Sequence, residues 1–177
     1  LSTWMGTINV DLTTIGLFAL VGTPYAFKFV WAPLVDRLSL PLLDGWLGRR
    51  RSWMLLTQIV LLGAVLWLAW SDPVGSPWAT AAAAVAVAFC SSTQDIVIDA
   101  YRIELLHDEE QGAGSATTQL GYRIATWTID AISLLLPSFL PWGVVLTIIS
   151  LFGLVGIVTT FYAHEPHSEK HAVTRNG

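Results

Sequence analysis

The sequence predicts an all-α membrane protein with about five transmembrane helices, and three observations carry that expectation. Apolar residues make up 54% of the 177 and charged residues only 12%, with a mean hydropathy of +0.59, far above that of a soluble domain. Apolar stretches of about 20 residues recur along the chain, the length a helix needs to cross a bilayer core of about 30 Å. The remaining charges gather in short connections, with an arginine run at Arg49, Arg50 and Arg51. Nine Trp and four Tyr suit an interfacial aromatic belt. The net charge of −4 argues against a nucleic-acid partner. A single cysteine, Cys90, excludes a disulfide framework and reads as a small packing residue. His107, His164, His167 and His171 lack metal-site spacing, and no cofactor motif is present.

The first dozen residues read as the outer end of a helix followed by a polar loop near Asn9. Because the chain starts at Leu1 with no basic, signal-like segment, it is expected to be a fragment. Residues 14–35 form the first full span, interrupted by Pro24 and Pro33 and carrying Lys28. The arginine-bearing connection that follows is cytoplasmic by the positive-inside rule. The second span is 52–70. A turn with Asp72, Pro73 and Gly75 leads to the third, 77–101, where Pro77 suits a first helical turn and alanine-rich residues 79–88 allow close helix approach. A second polar connection begins at Arg102 and includes Glu104 and His107. The fourth span, 115–136, and the fifth, 142–163, are joined by a turn at Pro137 and Pro141. Residues 164–177 read as a cytoplasmic polar tail or the start of a central linker.

Ionisable residues inside these spans are the functional candidates, since a charge at the centre of a membrane helix costs about 3 kcal/mol or more unless it is paired or faces water. Asp95, Asp99 and Arg102 recur at helical spacing on the third span. Counted from the cytoplasmic ends, Lys28, Asp95 and Arg123 all lie roughly 10–13 Å above that surface, at 1.5 Å per residue. They are therefore expected to face one central cavity and to hold each other charged. The fourth span adds a stripe of Gln119, Arg123, Thr126 and Asp130 flanked by Tyr122, suited to a polar, sugar-like or carboxylate-bearing ligand. The plainer readings are that these residues tie helices together, that Lys28 snorkels to the cytoplasm, and that Asp99 is an interfacial latch to a loop arginine.

Several stretches resemble AmpG-type muropeptide permeases, a family of major facilitator transporters of Gram-negative bacteria. They are residues 27–37 (FKFVWAPLVDR), 48–53 (GRRRSW), 89–100 (FCSSTQDIVIDA), 112–114 (GAG) and 120–123 (LGYR). The resemblance implies part of the amino-terminal six-helix half of a multi-pass inner-membrane importer. Such an importer carries anhydro-muropeptides to the cytoplasm on the proton gradient, for peptidoglycan recycling. It would take Lys28, Gln94, Tyr122 and Arg123 as substrate-binding residues and Asp95 as the candidate for proton coupling, while the stripe on the fourth span adds Gln119 to substrate binding and Asp130 to proton coupling. Asp36, Arg37, Arg49, Arg50, Arg51 and Asp99 would form a cytoplasmic gate. Asp130 lies outside the family pattern. The implied partners are the substrate, protons, the lipid bilayer and the missing carboxy-terminal half, without which the fragment should not transport.

Three other readings compete. One is a transporter of another solute, such as acetyl-coenzyme A or a peptide, another a non-transporting membrane scaffold. The third is an intramembrane enzyme with Asp95 and Asp99 as a catalytic dyad, which needs both carboxyls converging on one desolvated site.

Overall fold

A computed structural model describes residues 20–38 and 44–164, and among these it is helical throughout, with no strand. A 3-10 turn, Leu20–Gly22, leads into α1 (Thr23–Arg37), and the four-residue α2 (Asp44–Leu47) precedes α3 (Arg49–Ala69). Then come α4 (Pro77–Leu105), a 3-10 turn at Asp108–Glu110, α5 (Gln111–Leu135), a second such turn at Leu136–Ser138, and α6 (Trp142–Tyr162). The expected loop near Asn9, the start of the first span, part of the first connection and the tail beyond His164 lie outside the described residues.

Three of these helices, α3, α4 and α6, are long and apolar enough to cross a membrane. The described part of α1 has 15 residues. At 25 residues α5 is about 37 Å long, but its Gln, Thr, Arg and Asp residues lower its hydropathy. At the arginine-rich end α1, α3, α4 and α5 run two to four residues farther than expected, because helices continue into the polar connections, while the other borders of α3 to α6 fall within about one residue of expectation. Arg49, Arg50 and Arg51 are the first turn of α3, Arg102 and Glu104 close α4, and residues 111–114 open α5. Polarity marks the water interface, not the end of the backbone ladder, and helices pass through it wherever side chains satisfy their ends.

α3 lies against α4 and α6, and α1 lies along α4. One apolar cluster joins Leu68 of α3 to Ala83 and Ala84 of α4, with Val21, Trp142 and Leu146 packed around it. Ala83, Ala84 and Ala88 are buried, so the alanine-rich segment packs against its neighbours through small side chains that allow close approach. The second cluster joins Val35, Met54 and Val97 beneath Trp31, Trp53 and Tyr101. The outer faces of α1 and α6 expose Phe27, Phe29, Val30, Leu151, Phe152 and Val158, as helices with lipid for solvent do.

The turns follow local rules. Pro77 occupies the first turn of α4 and Pro141 precedes α6. Gly48 carries the positive φ of 83° that starts α3, a conformation an L side chain adopts only with strain. In the Asp72 turn, the backbone N–H groups of Gly75 and Val74 hold the carboxylate below its ordinary range. Glu110 accepts from the His107 N–H at 3.2 Å, which likewise lowers its pKa and caps the turn.

Gly143 marks the tightest α3–α6 approach, since a Cβ there would stand 2.9 Å from the Ala69 carbonyl oxygen, whereas one on Gly63 meets nothing within 4 Å. Gly143→Ala is expected to cost about 1–3 kcal/mol relative to Gly63→Ala. Thermal unfolding of the two variants in detergent measures the difference.

Candidate functional site

The polar side chains among the helices fall into two layers. The first gathers at the arginine-rich end around Arg50, whose side chain is 8% exposed. Its Nη1 donates to Asp36 Oδ1 at 2.8 Å and its Nε to Glu104 Oε2 at 2.9 Å, while Nη2 pairs with Glu104 Oε1. One guanidinium thus ties α1, α3 and α4 together. Arg49 reaches the Asp36 carbonyl and stands 3.8 Å from Glu104. Arg51 donates to the Thr160 and Phe161 carbonyls at 3.0 and 2.8 Å, a cation at the negative end of α6. Trp53 closes the layer by donating to the Leu38 carbonyl at 2.9 Å.

The second layer lies deeper among the helices. An open groove of about 500 Å³ is lined by Lys28 of α1, Asp95 and Asp99 of α4, and Thr118, Gln119 and Tyr122 of α5. Lys28 is the cation and Asp99 the neighbouring anion whose charges act on Asp95. Asp99 Oδ1 accepts from Arg102 Nη2 at 3.3 Å. Its partner is therefore an arginine of its own helix, because α4 continues past the point where a loop was expected.

Tyr25 and Ser91 hydrogen-bond at 2.7 Å between α1 and α4, and the ring lies within electrostatic reach of Asp95 and Tyr122. Trp31 Nε1 donates to Thr93 at 3.2 Å on the same seam.

Other expected site residues lie elsewhere. Arg123 does not line the groove; it and Asp130 are exposed. Their stripe is real, but at 100° per residue its centre is rotated about a quarter turn from the face of Thr118, Tyr122 and Ala125. Gln119 alone belongs to both. Gln94, one residue before Asp95, points away from it. It lines two cavities bordered by α3 and α6, of about 240 and 570 Å³, beside Gln58 and Gly156. Its Oε1 is buried without a partner there, while Gln58 accepts from Thr160 at 3.0 Å. Arg37 is exposed at the end of α1. Among the described residues, no cluster of three or more His, Cys, Asp or Glu side chains could hold a metal.

A cation and two carboxylates thus line one open groove between α1, α4 and α5, and comparison with known proteins decides the family. The Major Facilitator Superfamily profile matches residues 1–177. This chain belongs to that superfamily. Anhydromuropeptide permeases of Escherichia coli strains K12 and O157:H7 are each 42% identical to it over 167 residues, covering 94% of this chain and 33% of theirs. An uncharacterized protein of Haemophilus influenzae is 41% identical over 167 residues, 94% of this chain and 38% of its own. The chain thus spans about a third of the length of these relatives. As a major facilitator segment it is an all-α, multi-pass membrane protein.

Glu104 and Tyr25 were the residues that sequence reasoning missed. Glu104 looked like loop, although placing it in the last turn of α4 beside Arg102 would have brought it to the arginines. Tyr25 stands three residues before Lys28, a helical neighbour that carries no charge to mark it in the sequence.

Removing the Arg50 guanidinium leaves two carboxylates facing one another at a helix junction. Arg50→Leu is expected to lower stability by about 2–3 kcal/mol, less than a fully buried pair would lose because Asp36 and Glu104 are partly exposed. Arg49→Leu, which removes a longer and wetter contact, is expected to cost under about 1 kcal/mol. Thermal melts of both variants in one detergent measure the contrast.

Proposed function

We propose that this chain is the greater part of the amino-terminal six-helix half of a proton-coupled importer. In this reading it carries anhydro-muropeptides from periplasm to cytoplasm across a bacterial inner membrane and supplies peptidoglycan recycling. The observation that carries the proposal is the groove holding Lys28 and Asp95 together with Gln119 and Tyr122. The Escherichia coli relatives, anhydromuropeptide permeases by name, support the choice of substrate.

Each groove residue has a task that its chemistry suits. Lys28 attracts a substrate carboxylate as a point charge. Gln119 and Tyr122 supply an amide and a phenol to sugar and peptide polar groups. Asp95 carries the coupling proton. While Lys28 stands near, its charge favours the carboxylate, and a substrate carboxylate that engages Lys28 weakens that hold and favours protonation. Substrate and proton then load together.

The exposed α5 stripe, with Arg123 and Asp130, is the surface this half turns toward the carboxy-terminal half, so these two residues meet substrate or protons across the midplane. Gln94 serves helix packing on the far side of α4. Asp36, Arg37, Arg49, Arg50, Arg51 and Asp99 form the cytoplasmic gate, joined by Glu104, whose contacts with the arginines reform as the half rocks. Against the dyad reading stand the open groove and the pairing of Asp99 with Arg102. Related carriers of acetyl-coenzyme A or peptides are the remaining alternative.

Uptake of labelled muropeptide into cells or vesicles containing the full-length transporter tests the proposal. Asp95→Asn is expected to abolish proton-driven accumulation by at least about a hundredfold while leaving exchange of substrate across the membrane measurable. Lys28→Met is expected to raise KM by about tenfold. Accumulation of acetyl-coenzyme A or free peptide but not muropeptide by the wild type, or full accumulation by Asp95→Asn, overturns the assignment.

A further inference from the structure

Beyond the groove lined by Lys28 and Asp95, a further polar pair stands on the seam between α1 and α4. α1 and α4 run in the same direction, with Tyr25 three residues before Lys28 and Ser91 four residues before Asp95. At 1.5 Å per residue the Tyr25–Ser91 pair therefore stands about 4.5–6 Å farther from the arginine-rich end, one helical turn above the charged pair. Its neighbours Ser92 and Thr93 spend their hydroxyl protons locally, each donating to the Phe89 carbonyl, and Thr93 also accepts from Trp31 Nε1 of α1. Ser91 meets a side chain from another helix, the Tyr25 phenol at 2.7 Å.

The Tyr25 ring is not packed away by this bond. It remains 43% exposed, and Tyr122, on the facing wall from α5, is 68% exposed. Both rings are within electrostatic reach of one another and of Asp95. This level thus offers the open Tyr25 face, its phenol and the Ser91 hydroxyl, with no ionised side chain among them, and Tyr122 adds a second ring and phenol from the level of the charged pair. Rings of this kind accept the apolar face of a pyranose, while hydroxyls exchange hydrogen bonds with its rim. One turn below, Lys28 and Asp95 offer charge.

We propose that Tyr25 and Ser91, with Tyr122, form a saccharide subsite of the transport groove, one helical turn from the charged subsite that takes the peptide carboxylate. The inference rests on the preceding functional reading and adds to it a division of labour along the groove. Tyr25 and Ser91 bond to each other when the subsite is empty, and each turns its hydroxyl to a sugar hydroxyl when it is filled. The hydrogen bond between the helices is a placeholder that keeps two polar groups satisfied until substrate arrives. Specificity follows, because a ligand without the sugar leaves the placeholder intact and gains nothing from this level.

The test uses the full-length transporter and labelled disaccharide-peptide, with unlabelled disaccharide and unlabelled free peptide as separate competitors. Tyr25→Phe and Ser91→Ala remove the same bond from opposite helices, and membrane abundance of each variant is measured alongside uptake. Both are expected to raise KM for the labelled substrate by about tenfold with little change in maximal rate, the worth of one to two hydrogen bonds. The disaccharide's half-inhibitory concentration should rise by a similar factor while that of the free peptide stays within about twofold. Equal shifts for both competitors, no shift in either, or loss of maximal rate at unchanged KM overturns the subsite. Failure of the wild type to take up disaccharide-peptide overturns the functional reading itself, and the subsite with it.

Discussion

An ionised side chain among membrane helices has to be answered from within the protein, because hydrocarbon offers it nothing. Arg50 shows this demand turned into architecture. Its guanidinium is nearly buried, yet its donors reach carboxylates on two other helices, so that α1, α3 and α4 are fixed by one planar group. Lysine at this position offers a single point charge and cannot present parallel donors to Glu104 while also reaching Asp36. The junction needs close helices as well, and the small side chains of Ala83, Ala84 and Ala88 supply that closeness nearer the opposite end of α4. A tight apolar seam at one end and a charged knot at the other give α3 and α4 a fixed register over their whole length.

That register positions the groove. With α4 held, Asp95 and Asp99 share a face directed at α1 and α5, and Gln94, a third of a turn away, is directed at α3 and α6. The contrast between neighbours in the chain is instructive. Asp95 opens to a wet groove where a charge is tolerable, while Gln94 keeps a neutral amide among apolar walls, where a carboxylate would be far more costly.

Much of the fold was legible because its signals are physical necessities of the bilayer. Apolar length located α3, α4 and α6, Pro77 and Pro141 marked two helix starts, and the alanine run marked a buried helix contact. Depth alone placed Lys28 and Asp95 at one level, where both line the groove, since counting from an interface fixes how far along a helix a residue lies. Depth says nothing about azimuth, however, and this is why Arg123 was expected in the groove and is not there. The direction in which a residue faces depends on how its helix is rolled against its neighbours, and on α5 the face that lines the groove is centred on Tyr122. Glu104 was hidden for a different reason. Polarity was read as the end of a helix, when α4 uses that polarity to hold α3.

The exposure of α5 follows from the same constraint that shapes the rest. Its residues are almost all accessible, and the accessible set includes Gln119, Arg123 and Asp130. On a lipid-facing surface the last two would each cost about 3 kcal/mol, a sum comparable to a large part of a domain's net stability. The outer face of α6, by contrast, carries only apolar side chains where it is exposed in mid-helix, as lipid requires. In the proposed transporter the α5 stripe therefore faces protein or water, and this assigns the two surfaces of the bundle opposite surroundings. In that proposal α6 looks toward lipid and α5 toward the translocation path. A groove edged by such a helix is lined on one side only, so alternating exposure of its contents requires a second polar surface that approaches and withdraws. The exposed charge of Arg123 and Asp130 is then the other half of the problem that Arg50 solves internally, answered by contacts that form and break during transport.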